Sequence, residues 1–302
     1  QLSRHADQAS VKLVLVGDDR QLPEIDAGGA LAGISKCIGA LELRGVRRQH
    51  HEWDREALAA LRHGKINDWA RAYRDHGRVH TAPTPGKLRE RIVDDWWQHA
   101  KTESDAVMIA HRRSDVADLN QRARQRMHAD QRLGDQELTV GDRAFAAGDR
   151  VLARRNNHEL QVTNGTRGRV LSIDLERRSL VVQPDAGEPT TLDAAYLDGG
   201  HLDHAYATTA HALQGASVDH AFVLGSEDLY REWGYTALSR HRHEAHFYLH
   251  SEAQEARPLP GLEPEPDPVA EALQSLLARS RAKTLALDHG PPAGRELSGP
   301  EL

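Results

Sequence analysis

Several short stretches of the chain carry residue types suited to phosphate chemistry. The first is Gly17-Asp18-Asp19-Arg20-Gln21-Leu22-Pro23, directly after an apolar run. A loop at the carboxyl end of a parallel strand is where α/β sheets bind nucleotide phosphates, and an amide such as Gln21 can hydrogen-bond a phosphate and a water together. The same residues also suit an ordinary strand-to-helix turn. The second stretch, Arg47-Arg48-Gln49, offers guanidinium groups, which stay ionised and present a fork to a transferring phosphoryl group. Alone, such a pair is most often a solvated basic patch. The third, Tyr206 to Asp219, combines Thr208, Thr209, His211, Gln214 and Gly215, donors able to hold nucleic-acid phosphates without reading bases. The fourth, Tyr235-Thr236-Ala237-Leu238-Ser239-Arg240, is expected on a helix followed by basic residues, and offers a second candidate arginine finger beside the bland reading of a capped helix with surface charge.

Elements must position these residues. Val11 to Val16 is an unbroken run, β-branched and Leu apart from Lys12, ended by Gly17, and is expected as a strand buried on both faces of a parallel sheet. A short helix is expected around Ala30 to Ile34. Another follows from Glu52 to His63, with Trp53, Ala57 and Leu61 at helical spacing and Gly64 as its stop. Leu88, Ile92, Val93, Trp96 and Ala100 mark an amphipathic helix, Ala106 to Ala110 a second buried strand, and Val116, Leu119, Ala123 and Met127 a helix capped by Ser114. Helix, strand, helix is the order of an open parallel sheet covered by helices.

From residue 148 to 198 the pattern changes to short β segments, Arg150 to Arg154, Arg169 to Ile173, Leu180 to Gln183 and Thr190 to Leu192, with Asn164-Gly165 as a turn. A small all-β barrel inserted in the α/β domain is expected, because buried strands resume at Ala221 to Gly225 and Phe247 to Leu249. Five prolines between Arg257 and Pro268 make a stiff linker, and Val269, Leu273, Leu276 and Leu277 form a last helical stripe.

The chain has 302 residues with 39 Lys+Arg against 45 Asp+Glu, a formal charge of −6, which excludes a generally basic nucleic-acid coat. Binding a polyanion then needs a local groove, for which Arg112, Arg113, Arg122, Arg124, Arg154, Arg155, Arg167 and Arg169 are candidates, though helix-face solvation accounts for many of them. The single cysteine, Cys37, excludes internal disulfides and thiolate-rich zinc sites. Among 19 histidines, His201, His204 and His211, or His241, His243 and His246, have spacings a metal could use. With no H-E-x-x-H, surface histidines are the expectation and no metal ligand is assigned. No run approaches the roughly 18 apolar residues of a spanning helix, so a cytoplasmic protein without a membrane segment is expected.

In their order, with a β insert between the second and third, these stretches resemble the later motifs of superfamily 1 DNA helicases of the RecD-like branch. GDDRQLP resembles motif III, RRQ motif IV, TTAHALQGASVD motif V and YTALSRHR motif VI. VMIAHRRSDVADLNQRAR, GDRVLARRNNHELQVTNGTRGRV and LARSRAKTLALD are similar to the helicase half of conjugative relaxases of the TraI/TrwC type, and the likeness spans about residues 11 to 287. It implies an α/β, RecA-like P-loop NTPase fold with an SH3-like β-barrel insert. The corresponding divisions are the end of a first RecA-like domain (1–40), a second RecA-like domain (41–147 and 201–250), the insert (148–200) and a linker with tail (251–302).

The resemblance implies ATP and Mg²⁺ as cofactors. Its partners would be single-stranded DNA, an upstream RecA-like domain and a relaxase domain of the same polypeptide. It implies an ATP-dependent helicase moving 5′ to 3′ in conjugative transfer or repair. Gln21, Arg48 and Arg240 would be catalytic. Gly17, Asp18, Gln21, Arg48, Gln214, Gly215 and Arg240 would face the nucleotide, and Thr209, His211, Arg113 and Arg154 the DNA. Two departures stand out: Ala212 occupies a motif V position often held by Lys, and no G-x-x-x-x-G-K-[ST] occurs in the chain. The chain is therefore expected to be a fragment that does not hydrolyse ATP alone. A helicase-derived module that binds DNA or protein without catalysis, and more remotely a His-rich metal hydrolase, are the alternatives.

Overall fold

Segments such as Ala106-Val107-Met108-Ile109 and Ala221-Phe222-Val223-Leu224 carry apolar side chains on both faces, which a sheet satisfies only when helices cover both sides. The computed structural model, which describes residues 2–23, 29–42, 48–251 and 268–282, has that arrangement. Helices α1 (Leu2–Gln8) and α2 (Ala30–Ile38) precede the pair α3 (Glu52–Arg62) and α4 (Ile66–Asp75), then β1 (Val79–Ala82), α5 (Pro85–Ala100), β2 (Ala106–Ile109) and α6 (Arg113–Ala129). An antiparallel section follows: β3 (Glu137–Val140), β4 (Arg143–Ala146), β5 (Arg150–Ala153), β6 (Arg167–Asp174), β7 (Ser179–Pro184), β8 (Thr190–Leu192), α7 (Ala194–Asp198) and β9 (Leu202–His204). The chain then returns through β10 (Ala207–Thr208), β11 (Val218–Leu224), α8 (Arg231–Leu238), β12 (His241–His250) and α9 (Pro268–Leu277).

The main sheet has the order β1-β12-β11-β2-β10, with every pairing parallel. β2 and β11 lie side by side, Ala106 opposite His220 and Ile109 opposite Val223, so the expected union of these two strands in one sheet holds. Alternation sorts their side chains. Val107, Ile109, Ala221 and Val223 pack with Leu58, Trp69, Trp233 and Leu273 under α3, α4, α8 and α9. Met108, Ala110, Phe222 and Leu224 pack with Leu88, Trp96, Leu119 and Tyr248 under α5 and α6. Helix α5 starts where it does because Thr84 accepts a hydrogen bond from the Lys87 N–H at 3.2 Å and Pro85 occupies the first turn.

The antiparallel section forms a sheet of order β8-β7-β6-β5-β9 beside the hairpin β3-β4. Leu138, Phe145, Val151, Val170, Leu180, Leu192 and Leu202 share its separate core. The expected β segments correspond to β5 through β8, whereas β3 and β4, which the residue pattern did not single out, contribute Leu138 and Phe145 to that core. Gly168 in β6 is required by proximity: a Cβ there would meet the Gln183 carbonyl oxygen at 2.5 Å. One buried carboxylate ties this unit to the main sheet. Asp149 accepts hydrogen bonds from the Tyr206 hydroxyl (2.5 Å), the Ala146 N–H (2.6 Å) and Arg124 Nε (3.2 Å). Burial first, and then the Asp149 charge, hold the Tyr206 phenol well above its ordinary pKa.

Several expectations need correction. Val11 to Val16 is not a strand: these residues pair with no strand and are exposed, Val16 by 90%. A strand apolar on both faces needs neighbours on its edges, and none of the described residues supplies them. Ser114 does not cap α6; Arg112 is the N-cap residue, with no side-chain cap bond. Helix α4 and strand β1 were not foreseen, and α2 and β12 run longer than expected. Arg47, the proline-rich stretch up to Asp267 and the sequence after Ala282, including the end of LARSRAKTLALD, lie outside the described residues. The last apolar stripe is helical, and α9 buries Leu273 and Leu277. Among the described residues no helix is long and apolar enough to cross a membrane.

Candidate functional site

The Gly17–Pro23 loop docks on the last turn of α8. Thr236 makes the joint: its Oγ1 accepts from the Leu22 N–H at 3.1 Å, and its carbonyl accepts from Arg240 Nε at 2.9 Å. From there Arg240 Nη2 reaches Gln21 Oε1 at 3.4 Å, joining residues 219 positions apart. Gln21 Nε2 in turn donates to Asp18 Oδ2 at 3.2 Å, while Asp18 Oδ1 accepts from Arg62 at 3.2 Å. Arg48 Nη1 donates to the Ser239 carbonyl at 2.6 Å, and the buried Gln49 amide donates to the carbonyls of Ser239 (3.2 Å) and His241 (2.9 Å). Gly17 closes the loop beside Leu31 of α2, where an added Cβ would lie 2.7 Å from Cδ2. Gly17, Asp18, Gln21, Arg48 and Arg240 are therefore gathered at the turn between α8 and β12.

The electrostatics of this turn are unbalanced. Arg240 is only 2% exposed, and burial, reinforced by the charge of Arg48, pushes its guanidinium down to about 10. Burial also lowers Arg48, with Arg242 adding to the effect against the opposing influence of Tyr235. Among the described residues neither arginine has a carboxylate salt-bridge partner. Arg62, by contrast, is held above its ordinary value against burial by Asp18 and Glu42. Asp18 acts on Arg240 but is itself paired with Arg62, so the two guanidiniums keep a positive excess that favours an added negative group, and the donor set suits a phosphate oxygen. Next to them a cavity of about 360 Å³ opens between Gln49, Leu58, Arg62, Tyr235 and Ser239.

A buried cluster fixes the turn from below. His241 Nδ1 meets the Leu238 carbonyl at 2.6 Å, its Nε2 meets Asp54 Oδ2 at 2.5 Å, and Asp54 Oδ1 accepts from the Tyr73 hydroxyl at 2.8 Å. Both ring nitrogens thus face acceptors, the geometry of an imidazolium–carboxylate pair. The pair ties α3 and α4 to the residue next to Arg240.

The other assigned residues lie on a second, larger cleft of about 1500 Å³, walled by α6, the loop around Asn164, and the turn from Thr209 to Ala216. Arg113, Arg154, Thr209, His211 and Gln214 all line it. Thr209 Oγ1 accepts from the Ala212 N–H at 3.3 Å, and Gly215, at φ +86°, lets the chain leave that turn. Burial lowers the pKa of the His211 imidazole. Gln214 had been grouped with the nucleotide residues; it lies on this cleft beside Thr209 and His211, and no hydrogen bond among the described residues links it to Gln21, Arg48 or Arg240. Most of the candidate basic residues are neutralised: Arg112 by Asp228, Arg122 by Asp118, Arg124 by Asp149, Arg154 by Asp203 and Arg167 by Asp105. Arg113 alone in that set has no acidic or histidine partner among the described residues.

Sequence reasoning missed Arg62, which holds the loop through Asp18, and Asn120, whose amide pairs with both backbone groups of Ala207 at 2.8 and 3.0 Å. Nothing local in the sequence signals either, since each acts across a long separation. Neither spaced histidine triplet converges among the described residues. A convergent group appears elsewhere, at His99, His220 and Glu244.

Residues 1–84 match a family model described as an AAA domain, and residues 119–183 match the SH3 domain of ATP-dependent RecD-like DNA helicases. The conjugal transfer protein TraA of Rhizobium radiobacter is 34% identical over 247 residues, covering 80% of this chain and 22% of TraA. The RecBCD enzyme subunit RecD of Mycolicibacterium smegmatis is 27% identical over 264 residues, 78% of this chain and 44% of RecD. The chain thus spans about a fifth of the length of the TraA proteins it matches. A crystal structure of Bacteroides Pif1 bound to single-stranded DNA aligns with a TM-score of 0.48 and 17% identity over 78% of this chain and 62% of that one. By its SH3 match and its identity to TraA, the chain is homologous to the TraA conjugal transfer proteins and to RecD-like helicases.

Proposed function

We propose that this chain is the later part of an ATP-dependent DNA helicase that translocates on single-stranded DNA, 5′ to 3′, in conjugative DNA transfer. The observation that carries the reading is the contact between Arg240 and Gln21, with Arg48 on the same turn, which joins two distant motifs around an excess of positive charge. On this reading residues 1–40 close a first RecA-like domain, 41–147 and 201–250 form the second, 148–200 are the SH3-like insert and 251–302 the linker and tail. An upstream RecA-like domain and a relaxase domain would be partners within the same polypeptide.

Each residue then has a task. Arg48 and Arg240 hold the outer phosphate and stabilise charge that develops on it, and Gln21 orients the attacking water while reporting the state of the site to the loop. ATP with Mg²⁺ supplies the phosphoryl group when bound. Thr209 and His211 hold the DNA backbone in the large cleft with Arg113 and Arg154, without base readout. Because the residues in hand reach only the outer phosphate, the isolated chain should bind ATP weakly and not turn it over.

A titration of the 302-residue protein with labelled oligonucleotides at two or more salt concentrations tests the DNA path. Weak binding that falls with salt and varies little with sequence is expected. Arg113→Ala should reduce the slope of log K against log salt by about 0.7, the share of one phosphate contact on a single strand. Absence of binding at low salt, or an unchanged slope in the variant, would withdraw the cleft assignment.

A further inference from the structure

On the α5 face of the main sheet, away from both clefts, we infer a binding site for a borderline divalent cation of the Zn²⁺ class, held by His99, His220 and Glu244. The three residues come from separate elements, near the end of α5, in β11 and in β12, and one donor atom from each lies within 4.8 Å of the others. Their convergence follows from the topology. His220 and Glu244 are register partners on adjacent parallel strands and project to the same face, while His99 lies over them with its ring centroid 4.2 Å from that of His220. Ala245 packs with the α3 and α8 side, so the neighbouring Glu244 points the opposite way, and this group is separated from Arg240 by the thickness of the sheet.

A second observation points to a ligand. Nδ1 of His220 is buried and has no hydrogen-bond partner, though Glu244 Oε2 stands 3.8 Å away. A buried ring nitrogen left without a partner is unusual in a native protein and calls for an unseen group. A cation between this nitrogen and Oε2 gives the nitrogen its missing partner. The carboxylate is already oriented for the purpose, because Arg78 Nη2 holds Oε1 at 2.7 Å and leaves Oε2 turned inward. His246 Nε2 meets Arg78 Nη1 at 2.9 Å and lies at the longer distance of 3.4 Å from Oε2, while its Nδ1 meets His80 Nε2 at 2.8 Å; the cation would take the place of the long contact to Oε2.

The chemistry selects the metal class. Two imidazoles and one carboxylate form a mixed nitrogen and oxygen set, suited to Zn²⁺ and unlike the all-oxygen shells of Mg²⁺ and Ca²⁺. All three ligands are half-buried, which leaves room for a water in the fourth position. Such a site would clip α5 to β11 and β12, independently of nucleotide or DNA.

The test uses the full chain, stripped with a chelator and equilibrated by dialysis against Zn²⁺ alone. One tightly held Zn²⁺ per chain is expected, with a rise in Tm that Mg²⁺ does not reproduce. His99→Ala should weaken binding by at least about 10-fold, while His201→Ala, at a histidine outside the group, should leave it unchanged. Glu244→Gln should behave like His99→Ala; should it fail to fold for loss of the Arg78 contact, His99→Ala at the helix end decides alone, its metal-free Tm matching that of the metal-free parent. No zinc retained at micromolar concentration, or zinc retained equally by His99→Ala, would overturn the site.

Discussion

Arg240→Ala, made in the complete helicase that the proposed function requires, is expected to lower the ATPase kcat by about 10³-fold or more while leaving DNA affinity nearly unchanged. The size of the effect follows from where the charge sits. A guanidinium that is 2% exposed, held by the Thr236 carbonyl and aimed at Gln21, has already lost its water and reorganises little when negative charge develops nearby. Arg240→Lys should recover little, because an ammonium cannot keep the Thr236 bond through Nε and still reach forward with Nη2. Steady-state ATPase assays with saturating DNA, beside a Tm showing that the variant is folded, provide the check. A rate equal to the parent's would remove Arg240 from the site.

Asp54→Ala should cost about 3–5 kcal/mol of stability, the range for breaking a buried ion pair from one side. The substitution strands His241, fully buried with its Nε2 turned toward the missing carboxylate, and leaves the Tyr73 hydroxyl without its acceptor. Urea unfolding of the isolated chain measures this directly. A loss below about 1 kcal/mol, the level of an exposed pair, would mean that water reaches the cluster and that the pair is not a structural lock. Because His241 follows Arg240 directly, a weakened cluster should also loosen the turn that presents the finger.

The parts of the fold that were legible in the sequence are those in which a local pattern and the tertiary environment agree. Ala106 to Ile109 and Ala221 to Leu224 are apolar at every position and do lie in the middle of the sheet. The Trp53, Ala57, Leu61 spacing ending at Gly64 marked α3, because a glycine at φ +78° is the natural end of a helix. Val11 to Val16 carries the same kind of local pattern and yet is unpaired, since strand formation depends on neighbours that a pattern cannot supply. Strand β12 was seen only at its apolar end; its start, His241-Arg242-His243-Glu244, reads as surface, and becomes strand through pairing with β11. The Gln21, Arg48 and Arg240 assignment came from motif resemblance, and the structure gathers these residues at one turn. Gln214 illustrates the limit: its chain position said nothing about which of two clefts it would face. The His99, His220 and Glu244 group was invisible for a related reason, as its members are far apart in sequence and the spacings of neighbouring histidines pointed elsewhere.

The Asn120 amide has a consequence for how the molecule behaves toward other chains. β10 is the last strand of its sheet, and the outward N–H and C=O of Ala207 would ordinarily be open to any extended peptide that approached. Asn120 engages both, mimicking one residue of a further strand from the face of a helix. The sheet is thereby closed to intermolecular β-addition at that edge, which also lines the large cleft. Any extended chain that approaches the cleft meets an edge whose Ala207 backbone groups are already engaged.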